Sequence, residues 1–396
     1  MNFKTSLSFA KEMDDNDPLK DFRQLFIFPS FHKNQIRYFT GNSLGLQPVT
    51  TRKFIEEELD DWGHFGVDGH FEARRPWYSY HEQLTGMAAE IVGAKEIETV
   101  ITHSLTTNIH LLMVSFYQPK GNRRKILCEK KAFPSDQYAL QSQLKFHGYT
   151  KDDLIEVGPR DGEHLIRHED ILSAIEENKD EIALVFIGGV NYYTGQYFNL
   201  KEITAAGHTA GAYVGFDLAH AAGNVNLQLH DWNVDFAMWC SYKYLNSSPG
   251  GVSGLFVHEN HSEDTSLPRF AGWWGHDKDQ RFMMEDEFYP IKGAEGWQLS
   301  NAPVLGMAAH LASLQIFKEA GMNRIGQKRD QITAYLEFLL EDLNKKHQGF
   351  LEIITPKNIS ERGSQLSILF KKDGKEMFNK LTEAGVVADW REPNVI

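Results

Sequence analysis

The chain has 396 residues, of which 41% are hydrophobic and 24% are charged. This length and composition predict an ordinary globular protein with a large buried core and two domains. The net charge of −13 argues against nucleic acid or an acidic membrane surface as partner, because both bind basic surfaces. Cys128 and Cys240 lie in apolar runs and predict buried, reduced thiols of a cytoplasmic protein. Neither a secretory signal nor an apolar run of the roughly 18 residues that a membrane helix needs is found.

In chain order, the pattern predicts a short helix at residues 18–28, a strand at 36–39, a Gly-rich turn at 41–48 and a helix at 49–62. From about residue 80, helix-like and strand-like segments alternate. Strands are predicted at residues 125–128, 182–187, 212–216, 236–240 and 254–257. This alternation is typical of an α/β domain with a mainly parallel sheet flanked by helices. A ligand of such a sheet lies at the carboxyl ends of its strands.

After residue 300 the pattern changes to that of a smaller α+β domain. Helices are predicted at residues 304–320, 323–345 and 375–384, and strands at 351–354 and 365–370. We therefore expect a large cofactor-binding domain at residues 41–300. Residues 1–40 together with 301–396 would form the small domain.

Two polar residues end neighbouring apolar runs. Asp217 follows the run at 212–216, and Lys243 comes 26 positions later, just after the run at 236–240. A carboxylate and a lysine at two strand ends are what pyridoxal phosphate chemistry needs. The amine forms a Schiff base, and the carboxylate keeps the pyridine nitrogen protonated so that the ring withdraws electrons. For Lys243 alone, a solvated residue after a strand is the alternative.

Several other segments each have a structural alternative. Small hydroxyl residues at 102–108 could hold a phosphate or simply cap a helix that begins near Ile109. Phe133, held extended before a proline, could stack on a flat ring or belong to an ordinary turn. Asp136 could contact a cofactor or cap a helix near Gln137. His220 could face a ligand or be a satisfied core histidine. Its spacing to His230 fits no zinc pattern, so we predict no metal.

Two later segments are also ambiguous. Trp273 and Trp274 lie between glycines, where indole N–H groups could bind a phosphate or where an aromatic loop could form a subunit interface. Ser300 and Asn301 could cap the helix at 304–320 or contact a ligand.

Taken together, these segments resemble the kynureninases, which are fold-type-I pyridoxal phosphate enzymes related to class-V aminotransferases. The resemblance extends over nearly the whole chain. It depends on the motifs Gly-Asn-Ser-Leu-Gly-Leu (residues 41–46), Phe-Pro-Ser-Asp (133–136), Tyr-Thr-Gly-Gln (193–196), Gly-Phe-Asp-Leu-Ala-His-Ala (215–221), Trp-Cys-Ser-Tyr-Lys-Tyr-Leu-Asn (239–246) and Gly-Trp (272–273). Each motif is short, but their order and spacing together are specific.

The resemblance implies roles for individual residues. Lys243, Tyr242 and Asp217 match catalytic positions. The implied cofactor-binding set is Leu105, Thr106, Phe133, Pro134, Ser135, Asp136, Asp217, His220, Tyr242, Lys243, Trp273 and Asn301. The implied substrate-binding set is His70, Ser300 and Asn301. Trp273 and Asn301 would reach the site of the neighbouring subunit in a homodimer. Gly188 replaces a hydroxyl residue of some members, so that only its backbone could make a contact.

The implied reaction is hydrolysis of the Cβ–Cγ bond of L-kynurenine or 3-hydroxykynurenine. The family binds the substrate carboxylate with an arginine that follows the stretch matching residues 389–394. The present chain stops at Ile396, and we expect the natural protein to continue with that arginine. Arg391 matches a different, structural position. The alternatives are another fold-type-I enzyme, such as a cysteine desulfurase or aminotransferase, and a non-catalytic protein that retains the fold.

Overall fold

The structure is a computed structural model that describes residues 2–30, 36–264, 266–347 and 349–396. Its α-helices are α1 (Leu7–Asp15), α2 (Thr51–Phe65), α3 (Gly69–Glu72), α4 (Glu82–Val92), α5 (Leu105–Phe116), α6 (Pro134–Phe146), α7 (His168–Glu177), α8 (Leu200–Thr209), α9 (Val304–Ala320), α10 (Met322–Lys346) and α11 (Gly374–Glu383). Its strands are β1 (Phe26–Ile27), β2 (Arg37–Tyr38), β3 (Gln47–Pro48), β4 (Thr99–Thr102), β5 (Lys125–Glu129), β6 (Leu154–Val157), β7 (Ile182–Gly188), β8 (Tyr213–Asp217), β9 (Phe236–Cys240), β10 (Ser253–Val257), β11 (Leu351–Ile353), β12 (Ile368–Phe370) and β13 (Val386–Val387).

A seven-stranded sheet in the order β4-β10-β9-β8-β7-β5-β6 forms the centre of the molecule. Strands β6, β5, β7, β8 and β9 pair in parallel, whereas β10 is antiparallel to both of its neighbours. The α/β class with a mainly parallel sheet is therefore confirmed. Parallel strands β5, β7, β8 and β9 bring their carboxyl ends to one edge, where a ligand is expected.

Helices cover both faces of this sheet, which explains why its strands are continuously apolar. Along β7, Leu184 and Phe186 pack into a core with α5 and α6, whereas Val185 and Ile187 pack into a core with α4, α7, α8 and α9. Helix α5 contributes one apolar stripe, formed by Ile109, Leu112, Met113 and Phe116. This stripe follows the period of an α-helix.

The predicted elements and the observed ones differ most at the amino terminus. A helix was expected at residues 18–28, but the structure has a 3₁₀ turn at Lys20–Leu25 followed by β1. Phe26 and Ile27 pair with Pro48 and Gln47 of β3, so that a tertiary contact overrides the local helical pattern. By contrast, the helix predicted at 304–320 has the bounds of α9.

Elements from the two ends of the chain meet in the smaller part of the structure. Strand β13 pairs in parallel with β2, and β11 pairs with β12. Helix α9, however, packs against α2 and α4 and shares a core with the large sheet. The division of the chain into domains at residues 40 and 300 stays a prediction. Among the described residues, no helix combines the length and apolar character that a bilayer-spanning segment requires.

Candidate active site

A cavity of about 290 Å³ lies at the carboxyl ends of the parallel strands, where the fold predicts a ligand. It is lined by Ser104, Leu105, Thr106, Glu129, Phe133, Ser135, Asp136, Gly188, Val190, Tyr192, Asp217, Ala219, His220, Tyr242, Lys243, Gly250, Gly251 and Ser253. Most of the predicted cofactor contacts therefore line one cavity.

Lys243 lies in the segment that follows β9, and its side chain is largely buried. Its Nζ lies 3.1 Å from Nε2 of His220. The turn at residues 41–48 packs directly against this segment, with the Gly45 N–H donating to the Tyr242 carbonyl over 2.8 Å. A Cβ at Gly45 would lie 2.4 Å from the Lys243 carbonyl oxygen. The Gly-rich motif thus lets two backbone segments approach closely and fixes the position of the lysine.

His220 is buried, and its pKa is held well below the ordinary value by burial and by the charges of Lys243 and Arg391. The imidazole is therefore neutral at physiological pH. An ammonium can only donate, so Nζ of Lys243 donates to a free lone pair on Nε2. No described residue forms a hydrogen bond with the buried Nδ1 of His220.

Asp217 ends β8, and its Oδ1 accepts the Ala219 N–H at 2.7 Å. Burial raises the pKa of Asp217, while the charge of Lys243 and the bond from Ala219 oppose this rise. Asp136 lies beside it and donates a hydrogen bond to it. Burial, reinforced by the charges of Asp217 and Glu129, raises the pKa of Asp136 well above its ordinary value. Of this coupled pair, Asp136 keeps the proton and Asp217 carries the negative charge.

Asp136 does not cap a helix near Gln137, because α6 begins earlier, at Pro134. Its first turn contains Ser135 and Asp136, and the Ser135 hydroxyl donates to Asp136 over 3.3 Å. Phe133 precedes the helix and is 40% exposed. Its ring centroid lies 5.6 Å from Nζ of Lys243 and 5.2 Å from the ring of Tyr192. The open ring is thus placed where it could stack on a flat ligand.

The first residues of α5, Leu105 and Thr106, also line the cavity, together with Gly250, Gly251 and Ser253. The helix begins at Leu105 rather than near Ile109. Free N–H groups and the positive end of the helix dipole favour an anion at such a position. Tyr242 lines the same cavity, and burial raises the pKa of its hydroxyl far above the ordinary value.

Glu129 is the acidic cavity residue that was missed from the sequence, and Val190, Tyr192 and Ser253 were not predicted either. Glu129 is the last residue of β5 and is buried. The Gly188 N–H donates to both of its carboxyl oxygens, at 3.0 and 3.2 Å. Burial, with a contribution from the charge of Asp217, raises the pKa of Glu129 to about 7. The available signal was a polar residue directly after an apolar strand, which is the same signal that identified Asp217.

Five residues expected at the site do not line this cavity. Ser300 and Asn301 are exposed, and α9 has Pro303 at its N-cap, so neither of them caps that helix. Trp273 is half-exposed and donates its indole N–H to the Arg281 carbonyl over 2.9 Å. His70 is partly exposed, and its Nδ1 lies 2.9 Å from the Val67 carbonyl oxygen. Pro134, the first residue of α6, also does not line the cavity.

The cavity suits pyridoxal phosphate in its donor groups. It offers a buried lysine and an ionised carboxylate, and a helix amino terminus could hold the phosphate. Nδ1 of His220 and Oγ of Ser253 are buried polar atoms for which the described part of the chain supplies no hydrogen-bond partner. Such atoms are costly to bury unless a ligand contacts them.

Comparisons with known proteins point in the same direction. A family model described as aminotransferase class-V matches residues 55–388. The chain is 56% identical to a protein named kynureninase from Flavobacterium psychrophilum and 57% identical to one from Flavobacterium johnsoniae, covering 100% of this chain and 93% of each relative. A kynureninase of Nematostella vectensis is 48% identical, with 99% of this chain and 89% of the relative covered.

Solved structures with a similar fold are more distant in sequence. The cystine C-S lyase C-DES in complex with cysteine persulfide superimposes with a TM-score of 0.74 at 18% identity, over 91% of this chain and 92% of that chain. A cysteine desulfurase from Thermococcus onnurineus gives a TM-score of 0.69 at 17% identity, over 97% of this chain and 88% of that chain. At these identities the likeness concerns the fold alone.

Proposed function

Because the chain belongs to the kynureninase family, we propose that it hydrolyses the Cβ–Cγ bond of L-kynurenine or 3-hydroxykynurenine. The products are L-alanine and anthranilate or 3-hydroxyanthranilate, a step of tryptophan catabolism and NAD precursor synthesis. The observation that carries the proposal is the arrangement of Lys243, Asp217 and His220 in one cavity of a class-V aminotransferase fold.

The enzyme uses pyridoxal phosphate, whose protonated ring withdraws electrons from the substrate carbon attached to it. We propose that Lys243 holds the cofactor and that the carboxylate of Asp217 keeps the pyridine nitrogen protonated. Leu105 and Thr106 would bind the phosphate through the amino terminus of α5, and Phe133 would cover one face of the ring. Pro134 would fix the entry of α6, and Ser135 and Asp136 would support Asp217.

Lys243 is also the proposed base that removes the Cα proton of the substrate. A lysine amine can accept a proton only when it is uncharged. The neutral imidazole of His220 orients Nζ of Lys243 without adding a negative charge that would retain its proton. Tyr242 keeps its hydroxyl proton at neutral pH because its pKa is raised. It is therefore suited to donate a proton and not to act as a base.

The desulfurase alternative requires a reactive cysteine, and the thiols of this chain are unsuited to that role. Cys128 and Cys240 are free and buried. Burial raises the pKa of Cys240 to about 11 and that of Cys128 further, so that neither forms a thiolate readily. Two free thiols also support the proposed cytoplasmic location.

Incubation with L-kynurenine followed by product analysis tests the activity. We expect equal amounts of alanine and anthranilate from the purified protein loaded with pyridoxal phosphate, and none from Lys243→Ala. A protein that binds the cofactor, as shown by its visible absorption, but forms no anthranilate would instead be a non-catalytic member of the fold. Sulfide or alanine formed from cysteine would favour the desulfurase alternative.

We further propose a homodimer in which each subunit completes the other's site. Phe71, Tyr78, Trp273 and Phe282 form an aromatic surface cluster, with ring centroids 5.4–5.8 Å apart from one ring to the next. Phe71 and Phe282 are more than half exposed. Exposed aromatic clusters of this kind are typical of subunit interfaces.

His70, Trp273 and Asn301, which do not line the cavity, lie in or next to this cluster. His70 directly precedes Phe71. The Trp274 N–H donates to the Leu299 carbonyl over 3.3 Å, so that the segments carrying Trp273 and Asn301 lie side by side. One surface therefore carries Trp273 and Asn301, which the family resemblance assigns to the partner's site, together with His70, which it assigns to the substrate ring.

Mixed dimers test this arrangement. Lys243→Ala chains and Trp273→Ala chains, each inactive alone, are unfolded together and refolded. A hybrid dimer has one intact site, so random pairing restores about a quarter of the wild-type activity. Recovery no greater than that of either variant refolded alone would show that Lys243 and Trp273 serve the same subunit's site.

The polar groups of His70, Ser300 and Asn301 would surround the substrate ring, and we therefore propose a preference for 3-hydroxykynurenine. A site built to bond a hydroxyl discriminates against the analogue that lacks it. The ratio of the two kcat/KM values is measured in the wild type and in Asn301→Ala. We expect this ratio to fall by about tenfold in the variant. A wild-type preference for kynurenine that the substitution leaves unchanged would contradict the proposal.

A further inference from the structure

Three carboxyl groups line the cavity: Glu129, Asp136 and Asp217, each 5–6% exposed. Among the described residues that line it, Lys243 is the one lysine or arginine, and His220 is neutral. Three buried carboxylates beside a single ammonium would leave an excess of negative charge that is costly in a low-dielectric site. Some of the three must therefore keep a proton.

The positions of the three groups follow from the sheet. Glu129 ends β5, Gly188 ends β7 and Asp217 ends β8, and these strands are adjacent in the order β8-β7-β5. Gly188 is paired with Asp217 in the register of β7 and β8, and its N–H donates to the Glu129 carboxyl. The Gly188 backbone thus lies between the two acids.

Gly188 also explains how the glutamate fits. A Cβ at position 188 would lie 2.8 Å from Oε1 of Glu129, which is closer than real contacts allow. The missing side chain leaves space at the edge of the sheet, and the carboxyl of Glu129 occupies that space.

Among the described residues, the charge of Asp217 acts on Glu129, and the charge of Glu129 acts on Asp136, Cys128 and Tyr192. None of these four groups is a cation. The thiol and the phenol are neutral at physiological pH, because burial raises the pKa of both. The Gly188 N–H opposes the effect of burial on Glu129, which therefore titrates near neutrality.

We propose that Glu129 is a positioning residue that keeps a proton while Asp217 is ionised, so that the negative charge of the cavity stays on the carboxylate beside the pyridine nitrogen. This inference depends on the proposed role of Asp217. When Glu129 loses its proton at higher pH, a second negative charge enters the cavity. That charge stabilises the protonated form of any nearby nitrogen, including the nitrogen that joins Lys243 to the cofactor.

The first test uses the protein loaded with pyridoxal phosphate. The visible absorption band of the cofactor is titrated with pH in the wild type and in Glu129→Gln, which imitates the protonated acid. Removing a negative charge lowers the pKa of a nearby cation, so we expect the midpoint of the variant to fall by about half a pH unit or more. Glu129→Asp, which restores a carboxyl, should recover part of the shift.

Glu156→Gln is the matched control. Glu156 lies on the adjacent strand β6, opposite Cys128 in the register, and it is exposed and outside the cavity. The substitution removes the same charge, and its midpoint should equal that of the wild type. A Glu129→Gln midpoint equal to that of the wild type would refute the second part of the proposal, that ionised Glu129 places a negative charge beside the cofactor nitrogen. Whether Glu129 holds a proton is decided by the stability measurement without cofactor.

The second test uses the protein without cofactor and so does not depend on cofactor binding. In the folded protein the pKa of Glu129 is raised from 4.5 to about 7, so the folded state holds this proton more tightly than the unfolded state does. The free energy of unfolding is therefore highest below the ordinary value and falls as the pH rises through about 7. The melting temperature of the wild type relative to Glu129→Gln should therefore fall between about pH 5 and about pH 8. A constant difference would show that Glu129 holds no proton and would refute the proposal. A wild type without a cofactor band would instead refute the proposed function.

Discussion

Asp217 and Asp235 are both 6% exposed, one at the end of β8 and the other directly before the neighbouring strand β9, yet their surroundings differ. Asp235 precedes β9 at its amino end and accepts hydrogen bonds from His208 and His261, each at 2.8 Å, and from the Val214 N–H at 2.7 Å. These partners hold the pKa of Asp235 below its ordinary value despite burial.

For Asp217, at the carboxyl end of β8, the compensation is weaker. Asp217 accepts the Ala219 N–H and a hydrogen bond from Asp136, and the charge of Lys243 also lowers its pKa, yet burial outweighs these effects and raises the pKa of Asp217. The comparison teaches that burial alone does not identify a functional acid. A carboxylate surrounded by its own donors serves the fold, whereas one left short of donors at an open cavity is available to a ligand.

The largest effect on activity should come from removing the side chain of Lys243, the cation that lies in the same cavity as Asp217. Lys243→Ala should lower kcat/KM for kynurenine by about 10³-fold or more, because both the attachment of the cofactor and the base are lost. Lys179→Ala, which removes an exposed lysine paired with Glu176, is the control and should act like the wild type. Activity of Lys243→Ala within tenfold of the wild type would exclude this lysine from the chemistry.

Isosteric substitution of the two aspartates tests directly whether Asp217 serves catalysis and Asp235 serves stability. Asp217→Asn should lower kcat by about 10²-fold while the fold and cofactor binding persist, because a neutral amide cannot keep the pyridine nitrogen protonated. Asp235→Asn should leave kcat nearly unchanged and lower the free energy of unfolding by about 1–3 kcal/mol. Kinetics and urea unfolding of both variants check this. If Asp235→Asn lost activity and Asp217→Asn lost only stability, Asp235 would be the functional acid and Asp217 the structural one.

The pH dependence of stability gives a smaller effect. The pKa of His208 is raised by Asp235 above 6.5, so its stabilisation is complete below that value and is lost as the pH rises through the folded-state pKa. The pKa of Asp235 is lowered from 3.8, so its contribution is lost only as the pH falls through that lowered value. The advantage of the wild type over Asp235→Asn should therefore be larger near pH 5.5 than near pH 8.5 in urea unfolding. An advantage that grows with pH would contradict this account.

Much of the site could be predicted because polar residues that directly follow apolar strands meet at one sheet edge. Lys243 and Asp217 were found in this way, and the resemblance added Phe133 and Thr106. Glu129 ends the same kind of strand, but Lys130 and Lys131 follow it, and the run resembles a solvated turn. Its burial depends on pairing with β7 and on Gly188, which are contacts between distant parts of the chain.

The amino-terminal segment shows the opposite limit. Residues 18–28 have a helical pattern, but pairing with β3 converts their end into a strand. Likewise, Trp273 and Asn301 lie outside the cavity of a single chain, and sequence alone could not show that they share one surface. Local pattern therefore defined the helices and strands more reliably than their partners.

The central claim is that the cavity holds pyridoxal phosphate on Lys243. The most direct measurement is reduction of the loaded protein with borohydride, followed by proteolysis and mass spectrometry of the peptides. We predict one modified lysine, Lys243, and loss of the modification in Lys243→Ala. A modification on another lysine, or none on a protein with a visible cofactor band, would contradict the account.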